Sequence, residues 1–150
     1  MTANHDWTKV PTRIKEIVKD EEFLQQVAEP ATAEDAEVAQ DLVDTMKSMS
    51  NCACLAANQI GVNKAIIAYE SSGRPCVMYN PVVKEAIIPY KATESCLSLG
   101  RETEVTRFRR IIVEYQELVD GALVNRRRKL TDWAAEVVQH AVDNCKGKLV

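Results

Sequence analysis

Glycine is scarce in this chain, because only 5 of its 150 residues are glycine, about 3% against a usual value near 7%. No apolar run approaches the roughly 18–20 residues that a membrane helix needs. The polar and charged N-terminal stretch argues against a secretory signal peptide. Neither sign of charge dominates, since the net charge is −3, and this argues against a general nucleic-acid-binding protein. We therefore expect a cytoplasmic protein that contacts neither membrane nor DNA.

The composition that remains is typical of one soluble domain with a real core. Hydrophobic residues make up 46% of the chain and charged residues 27%, and the length predicts a single domain over residues 1–150. The 5 cysteines are odd in number, and without a signal peptide we interpret them as reduced thiols. Cys52 and Cys54 form an isolated C-x-C pair, which favours small buried residues.

Helical spacing of apolar residues predicts three helices. The second is expected to begin at an N-cap, Thr32, because acidic residues fill its first turn. The predicted helices cover residues 12–27, a stretch from Thr32 to about Ser50, and a final stretch that starts near Thr131 or Asp132 and covers residues 134–145.

Strand-like segments fill the middle of the chain. Residues 65–69 and 75–79 flank a turn at Gly73, and residues 111–117 and 123–130 flank Asp120-Gly121, so two hairpins are predicted. Two further short candidates are residues 82–88 and 103–108. The expected fold class is therefore α+β, with helices packed on a largely antiparallel sheet.

Two segments carry groups that suit a reactive site. In residues 54–61, small side chains allow a backbone to run close to a ligand, and Gln59 can donate a hydrogen bond to a developing oxyanion. In residues 94–98, the thiolate of Cys96 is a good ligand for zinc or ferrous iron. Taken alone, the first segment is better explained as a packed turn and Cys96 as a buried core residue.

The last helix has the frame of a metal-binding H-E-x-x-H helix without all of its residues. In that motif two His at i and i+4 chelate one metal, and the Glu between them serves as base. Here His140 is present, but Ala141 stands at the base position and Asn144 at i+4. Asp143, at i+3 from His140, is a weaker candidate for the same side. Taken alone, His140 is better explained as a core histidine.

Together, the order and spacing of the three segments resemble the peptide deformylase family over almost the whole chain. Residues 55–61 are similar to its motif G-x-G-L-A-A-x-Q, and residues 94–98 to its motif E-G-C-L-S. Residues 139–147 match parts of Q-H-E-x-D-H-x-x-G. The resemblance implies a peptide deformylase-like fold and hydrolysis of the N-formyl group from formyl-methionyl peptides by a metal-bound water.

The resemblance also implies a set of metal ligands. In the family one Cys and two His hold a divalent metal, which is ferrous iron natively and often nickel, cobalt or zinc in preparations. Cys96 and His140 fall on two of these ligand positions. Asn144 falls on the third, where an amide oxygen replaces a good imidazole ligand by a weak one. We therefore expect no metal, or a weakly bound divalent metal.

The resemblance assigns the remaining roles in catalysis residue by residue. Gln59 falls on the Gln that polarises the formyl oxygen, and Leu97 supplies the matching backbone N–H. Ala141 falls on the Glu that moves the proton, and positioned acid–base catalysis is worth about 10²–10⁴-fold in rate. The resemblance therefore implies that the chain lacks the proton carrier.

Several of the missing glycines belong to these motifs. Cys52, Cys54 and Ser95 stand where the family has Gly, and Asp132 stands where relatives commonly have Gly before an aromatic residue. At Cys54 we expect a side chain that narrows the substrate cleft, and a strained backbone if φ is positive there.

The prediction that follows is a deformylase-like protein without catalysis. Peptide N-termini are its expected ligand. Two alternatives stay open. One is a weakly active or altered-metal deformylase, and the other is thiol chemistry at Cys96 with His140 as base.

A local concentration of basic residues lies near the second hairpin. It comprises Arg107, Arg109, Arg110 and residues 126–129. A solvated hairpin face is the simpler interpretation, with Glu114 opposite Arg127 as a favourable cross-strand pair. Contact with ribosomal RNA is the alternative.

Overall fold

The computed structural model describes residues 14–149. Within these residues, short 3-10 turns over Ala33–Asp35 and Ala57–Ile60 accompany the main elements, and no helix has the length and hydropathy that a membrane-spanning segment requires. In chain order the helices and strands are α1 (Glu21–Leu24), α2 (Ala36–Lys47), β1 (Cys54–Ala56), β2 (Ile66–Ser71), β3 (Arg74–Ser95), β4 (Glu102–Val119), β5 (Ala122–Thr131) and α3 (Asp132–Cys145).

The strands form one antiparallel sheet in the order β1-β2-β3-β4-β5. Both predicted hairpins are confirmed. Their two-residue turns are Ser72-Gly73 and Asp120-Gly121, and all four residues have positive φ. This geometry matches the right-handed twist of the flanking strands. The expected α+β class is confirmed.

The strands β3 and β4 are longer than predicted. The short candidates over residues 82–88 and 103–108 are parts of strands of 22 and 18 residues. The register shifts twice along β3, between Tyr79 and Val82 and between Val83 and Glu85, and such bulges bend a long strand. Further along the sheet, Glu114 pairs with Arg127 as expected.

The first predicted helix is wrong for most of its length. Its first two residues lie outside the described residues, residues 14–20 have no regular structure, and α1 covers only Glu21–Leu24. The backbone N–H of Val18 donates to the carbonyl of Gln59 at 2.8 Å, and that of Lys15 donates to Thr45 Oγ1 at 2.9 Å. Tertiary contacts use the groups that a helix would need, and Asp20 then caps α1.

The other two helices begin as predicted. Thr32 and Asp35 form a capping box before α2, although α2 ends at Lys47 rather than near Ser50. Thr131 is the N-cap residue of α3. Asp132, which replaces a common glycine, has φ +52°. Aspartate is among the few residues that tolerate this left-handed region.

The helices α2 and α3 pack on opposite faces of β2. Ile66 and Ala68 belong to the hydrophobic cluster around α2, whereas Ile67 and Tyr69 belong to the cluster around α3. Successive side chains of a strand point to opposite faces, so this alternation places a core on each side of the strand. All five cysteines are free, as predicted.

The buried guanidinium of Arg107 joins β4 to β3 and to α3. Its Nε and Nη2 donate to the Glu94 carboxylate at 2.9 Å and 2.7 Å, and its Nη1 donates to Asp143 Oδ2 at 2.7 Å. Such forked, charge-assisted pairs are strong and directional. Arg107 is only 4% exposed. Its assignment to a solvated basic face is therefore wrong, while Arg109, Arg110 and Arg127 are exposed as expected.

This network predicts the acid stability of the fold. Burial raises the pKa of the Glu94 carboxyl, but hydrogen bonds from His140 and Arg107 outweigh burial and lower it to about 2. Because the folded-state pKa lies below the ordinary value, the carboxylate contributes stability that is complete above about pH 4.5 and is lost as the pH falls towards about 2. Melting curves from neutral to acid pH should show this loss, and Glu94→Gln should remove that component. The exposed Glu85→Gln is the control, and an unchanged acid profile in Glu94→Gln would contradict the prediction.

Candidate functional site

A cleft of about 280 Å³ opens between α3, β1 and the end of β3. It brings the second and third sequence motifs together with part of the first. Two carboxylates, four aromatic or aliphatic side chains, two thiols and His140 belong to its walls. The lining residues are Asn51, Cys52, Ala53, Cys54, Gln59, Thr93, Glu94, Ser95, Leu97, Trp133, Glu136, Val137 and His140.

At the base of the cleft, His140 lies between Cys96 and Glu94. His140 Nδ1 is 2.8 Å from Glu94 Oε1, and the ring also forms a hydrogen bond with the Cys96 thiol. Burial lowers the pKa of His140, but these two partners outweigh burial and raise it to about 9. Burial raises the pKa of Cys96, but hydrogen bonds from His140 and from the backbone N–H of Ser98 outweigh it, so the net shift is downward. The two groups therefore shift each other's pKa in opposite directions, that of His140 upward and that of Cys96 downward.

Gln59 is held against Cys96 by four hydrogen bonds. Its Oε1 accepts from the backbone N–H of Ala56 at 3.0 Å and from Asn144 Nδ2 at 3.3 Å. Its Nε2 donates to Ser98 Oγ at 3.4 Å and to Cys96 Sγ at 3.7 Å. The amide is 3% exposed. The structure thus places Gln59 beside Cys96, as its position in the first motif requires.

The two departures on α3 face the interior. Ala141 is fully buried, and its methyl group packs in the core around α3. Asn144 is 1% exposed. Its Nδ2 donates to Gln59, and within the described chain its Oδ1 has no hydrogen-bond partner. At the two positions where the family resemblance implies Glu and His, the chain therefore has the methyl group of Ala141 and the neutral amide of Asn144.

These donors do not fit a three-ligand metal site. Cys96 and His140 are strong donors, but Asn144 offers only an amide oxygen, which is a weak ligand for zinc or iron. Asp143, the weaker candidate at i+3, instead accepts from Arg107 at 2.7 Å. Across residues 14–149, no three His, Cys, Asp or Glu side chains are arranged to hold a metal ion.

Two further residues from the motifs lie on the walls of the cleft. Leu97 is half-buried and follows Cys96 directly. Cys54 pairs with Tyr69 across β1 and β2, and it is not among the residues with positive φ. The backbone of Cys54 therefore has an ordinary strand conformation, and the strain expected for a positive φ at this position does not arise. Its side chain still lines the cleft, and burial raises the pKa of its thiol.

Sequence reasoning missed two charged residues at the site. Arg107 holds Glu94, which in turn holds His140. The sequence pattern around Arg107 along β4 gives no indication of a buried ion pair. Glu136 lines the cleft and accepts from the Tyr90 hydroxyl at 2.9 Å. Its spacing of four residues before His140 was the available signal, because residues at i and i+4 share one face of a helix.

Comparison with known proteins agrees with this architecture. A family model described as Polypeptide deformylase matches residues 14–150. The peptide deformylase of Clostridium beijerinckii is 36% identical over 138 residues, covering 91% of this chain and 99% of that protein. The crystal structure of the peptide deformylase from Thermus thermophilus is 31% identical with a TM-score of 0.79, covering 91% of this chain and 82% of that one.

A second solved structure gives the same result. The peptide deformylase from Legionella pneumophila has a TM-score of 0.80 and 27% identity, and the match covers 91% of this chain and 83% of that one. The match extends over both hairpins, the sheet and the last helix, and the relatives carry one family description. This chain therefore belongs to the polypeptide deformylase family.

Proposed function

We propose that this chain keeps the fold and the peptide cleft of a deformylase but does not catalyse metal-dependent hydrolysis of N-formyl peptides. One observation carries the proposal. The buried face of α3 presents Asn144, which contacts Gln59, and Ala141, which packs in the core, and these supply neither a carboxylate nor a second imidazole.

The missing carboxylate removes the group that would move a proton. Ala141 has no side-chain acceptor, and its methyl group is enclosed by apolar neighbours of the core. Positioned acid–base catalysis contributes about 10²–10⁴-fold to rate. Glu94 does not substitute for it, because Arg107 and His140 hold its oxygens in hydrogen bonds.

The missing imidazole removes the third strong ligand. Two donors and an amide oxygen bind a divalent metal weakly, and without a bound metal no activated water forms. The two losses act on the same step, so restoring either one alone leaves the reaction blocked.

The cleft and the polar groups near its base are retained. Gln59 remains fixed beside Cys96, and Leu97 and Trp133 give the walls apolar surface. Concave sites of this kind, with a few placed polar groups, bind small ligands or chain ends. Binding of a peptide end without turnover is therefore the activity that the site supports best.

Formate release tests this proposal. Purified protein loaded anaerobically with ferrous iron or nickel should release no formate from formyl-Met-Ala-Ser above the background of buffer and metal. The Clostridium beijerinckii relative, prepared in the same way, is the positive control for metal and substrate. Turnover comparable to that of the relative would contradict the proposal. A slow but metal-dependent release would favour the weakly active alternative.

Restoring the two motif residues should recover metal before activity. Asn144→His should raise the content of bound nickel towards one ion per chain, because it adds the third strong donor. Ala141→Glu alone should leave the nickel content unchanged. Detectable formate release should require both substitutions, together with Gly at positions 54 and 95. Elemental analysis after gel filtration provides the measurement.

A matched control separates added ligands from added histidine. Asn125→His places an imidazole at an exposed position of β5 and should leave the metal content unchanged. If Asn144→His binds no more nickel than this control, the proposed cause of inactivity is wrong.

Thiol chemistry at Cys96 is a second candidate, favoured by one observation. The Glu94–His140–Cys96 contacts orient an imidazole towards a thiol and lower the pKa of that thiol. This is the arrangement by which cysteine nucleophiles are activated. Cys96 is 1% exposed and is not among the residues that line the cleft, so labelling requires local opening of the site.

The pH dependence of alkylation tests the thiol candidate. Iodoacetamide labelling of Cys96, followed by peptide mass spectrometry, should show a midpoint below the value of about 8.5 for a free cysteine. His140→Gln should move the midpoint upward, because burial then acts without the opposing hydrogen bond. Cys145 is the internal control, since burial raises its pKa to about 12. An ordinary free-thiol profile at Cys96 would rule this candidate out.

A further inference from the structure

The α3 wall of the cleft presents one carboxyl group, that of Glu136, that forms no ion pair within the described residues. Two carboxylates, Glu94 and Glu136, line the cleft, and no Lys or Arg of residues 14–149 does. Glu94 is compensated by Arg107 and His140. Of the two carboxyl groups, that of Glu136 is therefore the one available to interact with the charge of a ligand.

Glu136 has two side-chain partners, the Tyr90 hydroxyl and the Glu94 carboxyl, and burial together with Glu94 raises its pKa. The Tyr90 hydroxyl donates to its Oε1 at 2.9 Å, and within the described residues Glu136 forms no ion pair. Its carboxyl also contacts that of Glu94. A half-buried carboxylate beside a second carboxylate is costly unless a proton or a cation compensates it. A cation bound in the cleft would provide this compensation.

An aromatic face lies one helical turn from this carboxylate. Trp133 precedes Glu136 by three residues and His140 by seven, so all three lie on one stripe of α3, and all three line the cleft. Trp133 is 61% exposed. An indole face attracts ammonium and guanidinium groups, so Trp133 and Glu136 together provide two different interactions with one cation.

We propose that Glu136 is a specificity-determining residue that makes this cleft prefer a peptide carrying a positive charge at its end. The inference rests on the proposed function, because it takes the cleft to be a peptide-binding site. The shared chemistry is an ammonium or guanidinium group, supplied either by a free α-amino group or by a basic side chain. A formylated N-terminus lacks the first source, so a neutral formyl-methionyl peptide should be a poor ligand.

Isothermal titration calorimetry with four tripeptides separates these sources. All four are C-terminal amides, so that they differ in charge only through their positive groups: Met-Ala-Ser carries a free amino group, acetyl-Lys-Ala-Ser carries only the side-chain ammonium, and formyl-Met-Ala-Ser and acetyl-Met-Ala-Ser carry neither. At least one cationic peptide should bind about 10-fold more tightly than the two neutral ones. That preference should weaken as the salt concentration rises, because the Glu136 site is open to solvent.

Variants assign the preference to Glu136. Glu136→Gln keeps the shape and can still accept from Tyr90, so it should lower the affinity for the cationic peptides to about that for the other two. Glu85→Gln removes an exposed charge on β3 outside the cleft and should preserve the preference. Thermal melts establish that both variants are folded.

The outcomes separate this inference from the proposed function. Equal binding of cationic and neutral peptides, or a preference that survives in Glu136→Gln, overturns the role of Glu136 and leaves the proposed function standing. Formate release from formyl-Met-Ala-Ser overturns the proposed function without touching the charge preference. If none of the four peptides binds, the peptide cleft and the role of Glu136 both fail.

Discussion

The buried guanidinium of Arg107 is the interaction on which the site depends. It joins β3, β4 and α3 by pairing with Glu94 and Asp143, and Glu94 in turn holds His140 against Cys96. Breaking one partner of such a buried pair costs about 3–5 kcal/mol. The same contact therefore stabilises the fold and fixes the geometry of two potential ligands. This explains how Cys96 and His140 are kept together at the base of the cleft.

Features with local causes were predictable from the sequence. Two-residue turns at Gly73 and Gly121 determine both hairpins, because positive φ at the turn residues fixes the pairing of the strands. Thr32 caps the 3-10 turn that leads into α2 through its own side chain. The three motifs resemble the family in order and spacing, and the structure brings Gln59, Cys96 and His140 together as that resemblance implies.

Features that depend on contacts between residues distant in sequence were not predictable from the sequence. Residues 14–20 follow a helical pattern, but the backbone N–H groups of Val18 and Lys15 donate to Gln59 and Thr45, which are distant in sequence. From the sequence, Arg107 was assigned to a basic surface, because its sequence neighbours do not indicate that Glu94 and Asp143 are its partners. The charge of the cleft was missed for the same reason. Glu136 lines the cleft only because α3 packs beside β3.

The central claim is that the site holds two strong metal donors and no third. Anomalous scattering from crystals soaked with an equimolar amount of nickel tests it most directly. The account predicts no anomalous peak between Cys96, His140 and Asn144 in this protein, and a clear peak in the Asn144→His variant under the same conditions. A peak of full occupancy in the unmodified protein, with the Asn144 amide oxygen as a ligand, would contradict the account.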